Sequence, residues 1–390
     1  MALGRKIRYG MVGGGPDAFI GAVHRQAASL DSEIELVAGA FSSSPDKSRQ
    51  QGEELLLDDS RVYGSYQEMA EKESGLPEGD RIDFVSIVTP NNVHFDVAKN
   101  FLEAGFHVIC DKPMTTTVED AEELCRLVKQ HDAVFALTHN YTGYPMVKQA
   151  RELVRGGQLG KVRKIVVEYP QGWLATLLEG EGAKQAVWRT DPNRSGVSSC
   201  IGDIGSHAEN LAHYITGLGI EEICADMTTF VPGRQLEDDG NVLVGYEDGA
   251  RGILYASQVS VGEENNLRIR IYGSDASLDW HQENPNYLYV RFPDGPEQVY
   301  KRGNDYVAEI TQHNSRIPFG HPEGFIEAFA NIYVNATRTM AAKISGEEPG
   351  EFDTDFPTVQ DGARGVNFIH KAVESGAKRA WIDASYTPPA

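Results

Sequence analysis

At 390 residues the chain is too long for one compact core, so two domains are the natural organisation. A formal net charge of −21 excludes nucleic acid and anionic membrane as natural partners and disfavours a highly phosphorylated substrate. Apolar residues make up 41% and charged residues 24%, ordinary values for a globular protein, and no stretch has the length of a transmembrane helix. The amino terminus runs straight into a strand pattern without a signal-peptide core, which makes the cytoplasm the expected compartment. Cys110, Cys125, Cys200 and Cys224 form no Cys-x-x-Cys pair, so reduced thiols are expected rather than a metal site or disulfides.

In chain order, Ile7–Val12 reads as a strand and runs into Gly13-Gly14-Gly15-Pro16-Asp17-Ala18. This fits Gly-x-Gly-x-x-Ala, a dinucleotide fingerprint: a tight turn, close backbone approach to a pyrophosphate, and a small residue (Ala18) where helix meets strand. Phe19 and Ile20 extend the turn before a helix over Gly21–Leu30, whose N-terminus would present amides to phosphate. A second strand, Ile34–Phe41, runs into Ser42-Ser43-Ser44-Pro45-Asp46-Lys47 and lacks an acidic residue at the position where NAD enzymes usually carry one for the ribose, so Ser42, Ser43 and Lys47 could instead receive a 2′-phosphate. Ser44 is expected to cap the helix Pro45–Leu57.

The strand Phe84–Val88 leads to Thr89-Pro90-Asn91-Asn92-Val93-His94, whose polar groups would face the cofactor crevice or simply cap the helix Val93–Ala104. The strand Phe106–Cys110 leads to Asp111-Lys112-Pro113. Lysine is almost never buried without a partner, and Pro113 restricts the residue before it to extended geometry. Lys112 is therefore aimed into the crevice, where an ammonium can bind a reacting oxygen. A helix over Val118–His131 and a strand over Val134–Thr138 complete the alternation of a parallel, doubly wound sheet.

After Thr138 the pattern changes. A helix over Tyr144–Arg155 and a glycine-rich polar stretch, Gly172–Gly202, precede a helix over Ser206–Thr216. Strand patterns follow from Ile220 to Lys301, among them Asn241–Tyr246, Arg251–Val259, Leu267–Tyr272, Ser277–His281 and Tyr287–Phe292, joined by turns that suit antiparallel pairing. Helices return over Pro322–Ser345 and Thr358–Ser375. The expected architecture is α/β: a Rossmann domain over 1–140, then an α+β domain over 141–390 with a large, mainly antiparallel open sheet, its C-terminal helix returning to the first domain.

Gly202-Asp203-Ile204-Gly205-Ser206-His207 supplies an Asp-x-x-x-His pair. On a helix start the two would share one face, with the carboxylate capping free amides or raising the imidazole's proton affinity. Taken alone, the pair is more often an N-cap and a core histidine.

In their order and spacing, these features resemble the Gfo/Idh/MocA family of NAD(P)-dependent sugar and polyol oxidoreductases. The matching residues are Gly13-Gly14-Gly15, Thr89-Pro90-Asn91-x-x-His94, Asp111-Lys112-Pro113, Trp188-Arg189 before Gly196, and Asp203-Ile204-Gly205-Ser206-His207. The family commonly has Glu where Asp111 stands, and more glycine than Val197-Ser198-Ser199-Cys200 offers. The resemblance implies NAD or NADP as cofactor, held by Gly13, Gly14, Gly15, Phe19, Ile20, Ser42, Ser43, Lys47, Thr89, Pro90, Asn91, His94, Asp111, Lys112 and Asn140. It implies hydride transfer to or from a secondary hydroxyl of a sugar, inositol or related polyol, with Lys112, Asp203 and His207 catalytic. Asn140, Tyr141, Trp173, Trp188 and Arg189 would line the substrate pocket, and the open sheet would assemble a homo-oligomer. Two rivals remain: an NAD-dependent glycosidase working by transient sugar oxidation, and a non-catalytic NAD(P)-binding sensor.

Overall fold

The structure, a computed structural model, describes residues 3–16 and 18–390; Met1, Ala2 and Asp17 of the glycine turn lie outside the described residues. The first half alternates strand and helix: β1 (Ile7–Gly13), α1 (Phe19–Ser29), β2 (Ile34–Ala40), α2 (Pro45–Glu54), α3 (Tyr66–Ser74), β3 (Phe84–Val88), α4 (Asn91–Glu103), β4 (His107–Cys110), α5 (Val118–Gln130) and β5 (Phe135–Leu137). The five strands form one parallel sheet in the order β2-β1-β3-β4-β5. The chain reverses direction across the sheet between β1 and β3, and the crevice outside their carboxyl ends is where such sheets bind ligands.

Alternate residues of these strands feed two cores. Ile7, Tyr9, Met11, Phe84 and Ile109 pack with α1 on one face, while Val12, Val85, Ile87, Val108 and Leu137 pack on the other. Burial on both faces explains why the strands read as nearly unbroken apolar runs.

Next come α6 (Pro145–Arg155), β6 (Lys164–Pro170), α7 (Lys184–Arg189), α8 (Pro192–Ser195) and α9 (Ser206–Thr216). They are followed by β7 (Ile220–Thr228), β8 (Asp239–Tyr246), β9 (Arg251–Ser257), β10 (Arg268–Tyr272), β11 (Ser277–His281), β12 (Tyr287–Arg291) and β13 (Gln298–Lys301). The chain ends with α10 (Glu309–His313), α11 (Phe325–Ser345), α12 (Val359–Lys378) and β14 (Ile382–Asp383). The second sheet runs β13-β12-β11-β10-β6-β9-β8-β7-β14 and is antiparallel throughout except for the parallel pair β6–β9.

α11 does not stay with the second sheet. Phe329, Tyr333, Ala336 and Met340 join the core that contains Ile7, Tyr9 and Phe84, beside α1. The segment after α11 covers the free edge of β5, where Leu137 N–H donates to Pro357 O at 2.8 Å and Ala136 pairs with Thr358. Among the described residues no helix is long and apolar enough to cross a membrane.

Two expectations about these elements need correction, and some elements were not expected at all. α3, β6 and the short helices α7, α8 and α10 carry no expectation from the sequence, α3 because its exposed face is dense in Glu and Lys. α1 begins at Phe19, two residues earlier than its periodicity suggests. Ser44 occupies the N-cap of α2, but its side chain makes no capping hydrogen bond; its N–H instead donates to Ser42 Oγ at 3.2 Å.

Candidate active site

The polar residues named above gather at the carboxyl edge of the first sheet. Gly13 and Gly14 have φ of +87° and +70°, and a Cβ on Gly13 would stand 2.6 Å from the Val88 carbonyl oxygen. A Cβ on Gly15 would lie 2.7 Å from Phe41 O. The close helix–strand contact is made by Gly21, whose Cβ would fall 2.4 Å from the Gly14 Cα. Ala18, expected in that role, is the N-cap of α1 instead and makes no side-chain cap, so among the described residues no side chain caps the first amides of α1. Arg25 Nη1, which no motif marks, donates to Gly14 O at 3.0 Å and closes the turn from behind.

Gly21→Ala is therefore expected to overpack this contact. We expect a loss of about 1–3 kcal/mol in stability, read as a lowered thermal midpoint, together with weaker NAD binding by titration. Unchanged values of both would show that the turn does not need the contact.

Around this turn the other candidates divide. Ser43 and Lys47 are exposed beyond β2, and the adjacent Asp46 is paired with Arg49. Thr89 Oγ1 and Asn140 Nδ2 are buried without hydrogen-bond partners. Asn91 is engaged, its Nδ2 donating to Ser195 O at 3.1 Å, and Pro90 is the N-cap of α4. His94 does not face the crevice. It is fully buried, with its ring nitrogens 2.8 Å from Pro113 O and 2.9 Å from Thr89 O, so the ring ties the ends of β3 and β4 together.

Lys112 is the centre of the site, and its peptide bond to Pro113 is cis. Asp111 does not pair with its ammonium: Asp111 Oδ1 accepts from Lys112 N–H at 2.9 Å and Thr138 Oγ1 at 3.0 Å. Lys112 Nζ instead donates to both Asp203 Oδ1 and Asp203 O, each at 2.6 Å. The other carboxylate oxygen, Asp203 Oδ2, accepts from Arg189 Nε at 3.0 Å and Gln258 Nε2 at 2.9 Å. The Arg189 guanidinium lies over the Trp188 ring at 4.2 Å and 5.8 Å from the Trp173 ring centre. Burial alone would raise the Asp203 carboxyl, but Lys112 and then Arg189 outweigh it and hold it far below the usual carboxylate range. Asp203 is thus a fixed anion bridging two cations.

The local backbone differs from the expected helix start. Residues Ile201–Gly205 form a π-helical turn ahead of α9, a deviation that recurs at functional sites. Asp203 caps nothing. Glu237 does that work, its Oε1 accepting from Ser198 Oγ and from the N–H groups of Ser199 and Ile201 at 2.5, 3.1 and 3.0 Å.

His207 stands in the first turn of α9, 6% exposed, with its ring edge-on to Tyr141 at 4.8 Å. Its hydrogen-bond partner is not Asp203 but His139, with the two Nδ1 atoms 3.3 Å apart. Burial, then the Lys112 charge and His139, push the His207 imidazole well below its ordinary value, with Asp203 opposing. The ring is neutral at rest. Tyr141 OH meets Tyr169 OH and accepts from Asn265 Nδ2 at 3.2 Å, while Trp173 is 37% exposed at the rim.

The comparisons decide the family. The model described as "Oxidoreductase family, NAD-binding Rossmann fold" matches residues 7–139, and that of the GFO/IDH/MocA C-terminal domain matches 147–279. This chain belongs to the Gfo/Idh/MocA family. A solved oxidoreductase from Sinorhizobium meliloti is 45% identical, covers 97% of this chain and 99% of its own, and superposes with a TM-score of 0.88. An inositol dehydrogenase homolog from Azotobacter vinelandii, solved with NADH and myo-inositol, is 34% identical over 97% and 98%, with a TM-score of 0.90. A levoglucosan dehydrogenase from Pseudarthrobacter phenanthrenivorans is 26% identical over 85% and 87% of the two chains. As a Gfo/Idh/MocA oxidoreductase the chain has an NAD-binding Rossmann domain. Its described residues fit that group: a cradle that any Cβ would fill, a helix N-terminus that none of them caps by a side chain, and two unpartnered polar atoms at the same edge.

Proposed function

We propose that this oxidoreductase oxidises a secondary hydroxyl of a cyclic polyol or sugar, reversibly, with NAD as the redox partner. The observation that carries the reading is the Lys112–Asp203 pair at 2.6 Å beside a neutral, buried His207, at the sheet edge that carries the glycine turn. An ammonium has three N–H donors. Asp203 takes two through its carboxylate and carbonyl, which leaves one for a substrate oxygen. Lys112 would hold the reacting oxygen and stabilise charge developing on it. His207 would accept the hydroxyl proton at Nε2, the ring nitrogen that His139 leaves free.

Asp203 keeps Lys112 in place and, through Arg189 and Gln258, fixes the wall beside it. The Trp188–Arg189 stack and the Trp173 face suit an uncharged ring more than an extended chain. Bound nicotinamide supplies the hydride acceptor. Relatives whose ligands are inositol and levoglucosan support a cyclic substrate.

The test is a panel of inositols, anhydrosugars, aldoses and glycosides with NAD and with NADP, followed by absorbance of the reduced cofactor. We expect cyclic polyols to be oxidised with NAD. Because no carboxylate stands at the end of β2, the nearest one, Asp46, is paired with Arg49, and Ser43 and Lys47 are exposed, NADP should support measurable turnover as well. Release of an aglycone without accumulation of reduced cofactor would favour the glycosidase instead. Cofactor binding with no turnover across the panel would refute the dehydrogenase.

A further inference from the structure

His139, the residue before Asn140 at the end of β5, belongs to no motif, yet it is the direct hydrogen-bond partner of His207. Both rings are buried, at 1% and 6% exposure, and stand edge to face with centroids 5.1 Å apart. Two neutral imidazoles joined Nδ1 to Nδ1 at 3.3 Å share one hydrogen: one ring donates and the other offers its lone pair. The choice decides the chemistry. If His207 accepts, its own hydrogen sits on Nε2 and it cannot take a proton there. If His207 donates, Nε2 carries a lone pair and is a base.

We propose that His139 is the positioning residue that sets the His207 tautomer, accepting from its Nδ1–H and leaving Nε2 as the proton acceptor.

The direction follows from the other side of His139. Its Nε2 and the Glu209 Oε2 border one gap beside Gly365 of α12, each 3.9 Å from where a Cβ on that glycine would stand. Glu209 is 5% exposed and its carboxylate makes no hydrogen bond to any described residue. An ionised carboxylate only accepts, so it favours the hydrogen of His139 on Nε2 and the lone pair on Nδ1. Burial raises Glu209 to about 7, against Arg364, so the anion prevails on the alkaline side.

Other charged groups surround the pair. Lys112 of the β4 end faces both rings, Asp111 and Asp361 of α12 act on His139, and Asp203 acts on His207, whose ring also meets Tyr141 and Tyr169. Burial and then Lys112 hold His139 at about 3, so it stays neutral. A neutral partner orients His207 without the rise in basicity that a carboxylate would bring.

This inference rests on the proposed dehydrogenase reading for its rate effect. In that reaction the substrate O–H bond breaks and its proton forms an N–H bond at His207 Nε2. The O–H electron pair becomes the second C–O bond, and the C–H pair leaves with the hydride to NAD. The Nδ1–H bond of His207 is never broken.

The test pairs two readouts on the full-length protein at about pH 8.5, above the Glu209 transition. The first is the imidazole nitrogen–proton correlation spectrum of histidine-labelled protein, assigned with His139→Phe and His207→Asn. We expect His207 as the Nδ1–H tautomer in the wild type; His207 as Nε2–H overturns the proposal whether or not any polyol is turned over. The second is kinetic. His139→Phe keeps the ring but no acceptor and should lower kcat about tenfold or more with KM and NAD affinity nearly unchanged, while His139→Asn, which restores an acceptor near the Nδ1 position, should recover most of it. Wild-type kcat in the Phe protein, or equal losses in both, overturns it. If the wild type oxidises nothing on the panel, the proposed function fails and the spectrum still decides this inference.

Discussion

Lys112→Ala is expected to lower kcat about 10²–10³-fold while NAD binding by titration stays nearly unchanged. The loss falls on kcat because the ammonium donates most strongly when the substrate oxygen carries most charge. Its two bonds to Asp203 already hold Nζ in place, so little ordering remains to be done when substrate arrives. NAD binding should survive, since the glycine turn and the start of α1 stand apart from the ammonium. Removing the charge should also raise the proton affinity of His207, because Lys112 is among the groups that depress it. An alanine protein that oxidises polyols at the wild-type rate would sink the mechanism.

His207→Ala should cost about 10²–10⁴-fold in kcat and remove the acid limb of the pH profile. The sign follows from the direction of the shift. A general base works unprotonated, and burial with Lys112 and His139 holds this imidazole below its ordinary 6.5. The limb that belongs to the His207 proton should therefore lie below 6.5, beneath the change that protonation of Glu209 brings near pH 7 through the His139 tautomer. In Lys112→Ala the residual activity should show that limb shifted upward, toward the ordinary imidazole range. The measurement is kcat/KM against pH for wild type and both variants. A wild-type limb above 6.5 that persists in Glu209→Gln would contradict the buried, neutral ring.

Much of the first sheet was legible because its strands are buried on both faces and bounded by glycine or polar turns. Phe84–Val88 and Ser277–His281 match the structure at both ends, as does the helix Ser206–Thr216. Lys112 was legible for a local reason, a cation after a buried strand with proline behind it. What failed was whatever depends on distant chain. Nothing local says that β6 pairs with β9 in parallel inside an otherwise antiparallel sheet. The π-helical turn before α9 is held by Glu237, 34 residues beyond Asp203 (237 − 203), so Asp-x-x-x-His read alone suggested an N-cap. His94 sat in a motif and proved to be a tie between two strand ends, whereas His139 sat in none and touches His207. Gln258 and Arg25 likewise have no signature, because each acts through a partner remote in sequence.

The return of α11 has a consequence for how the protein is made. A ribosome delivers the five strands of the nucleotide-binding layer long before it delivers Phe329, Tyr333 and Met340, which close one of that layer's two cores. The free edge of β5 waits longer still, for Pro357 and Thr358. The glycine turn therefore gains its finished support only after Pro357 and Thr358 have been made. A nascent or prematurely ended chain would expose Tyr9, Phe84 and an unpaired strand to its neighbours, so the ability to hold a dinucleotide and the completeness of the polypeptide are tied together.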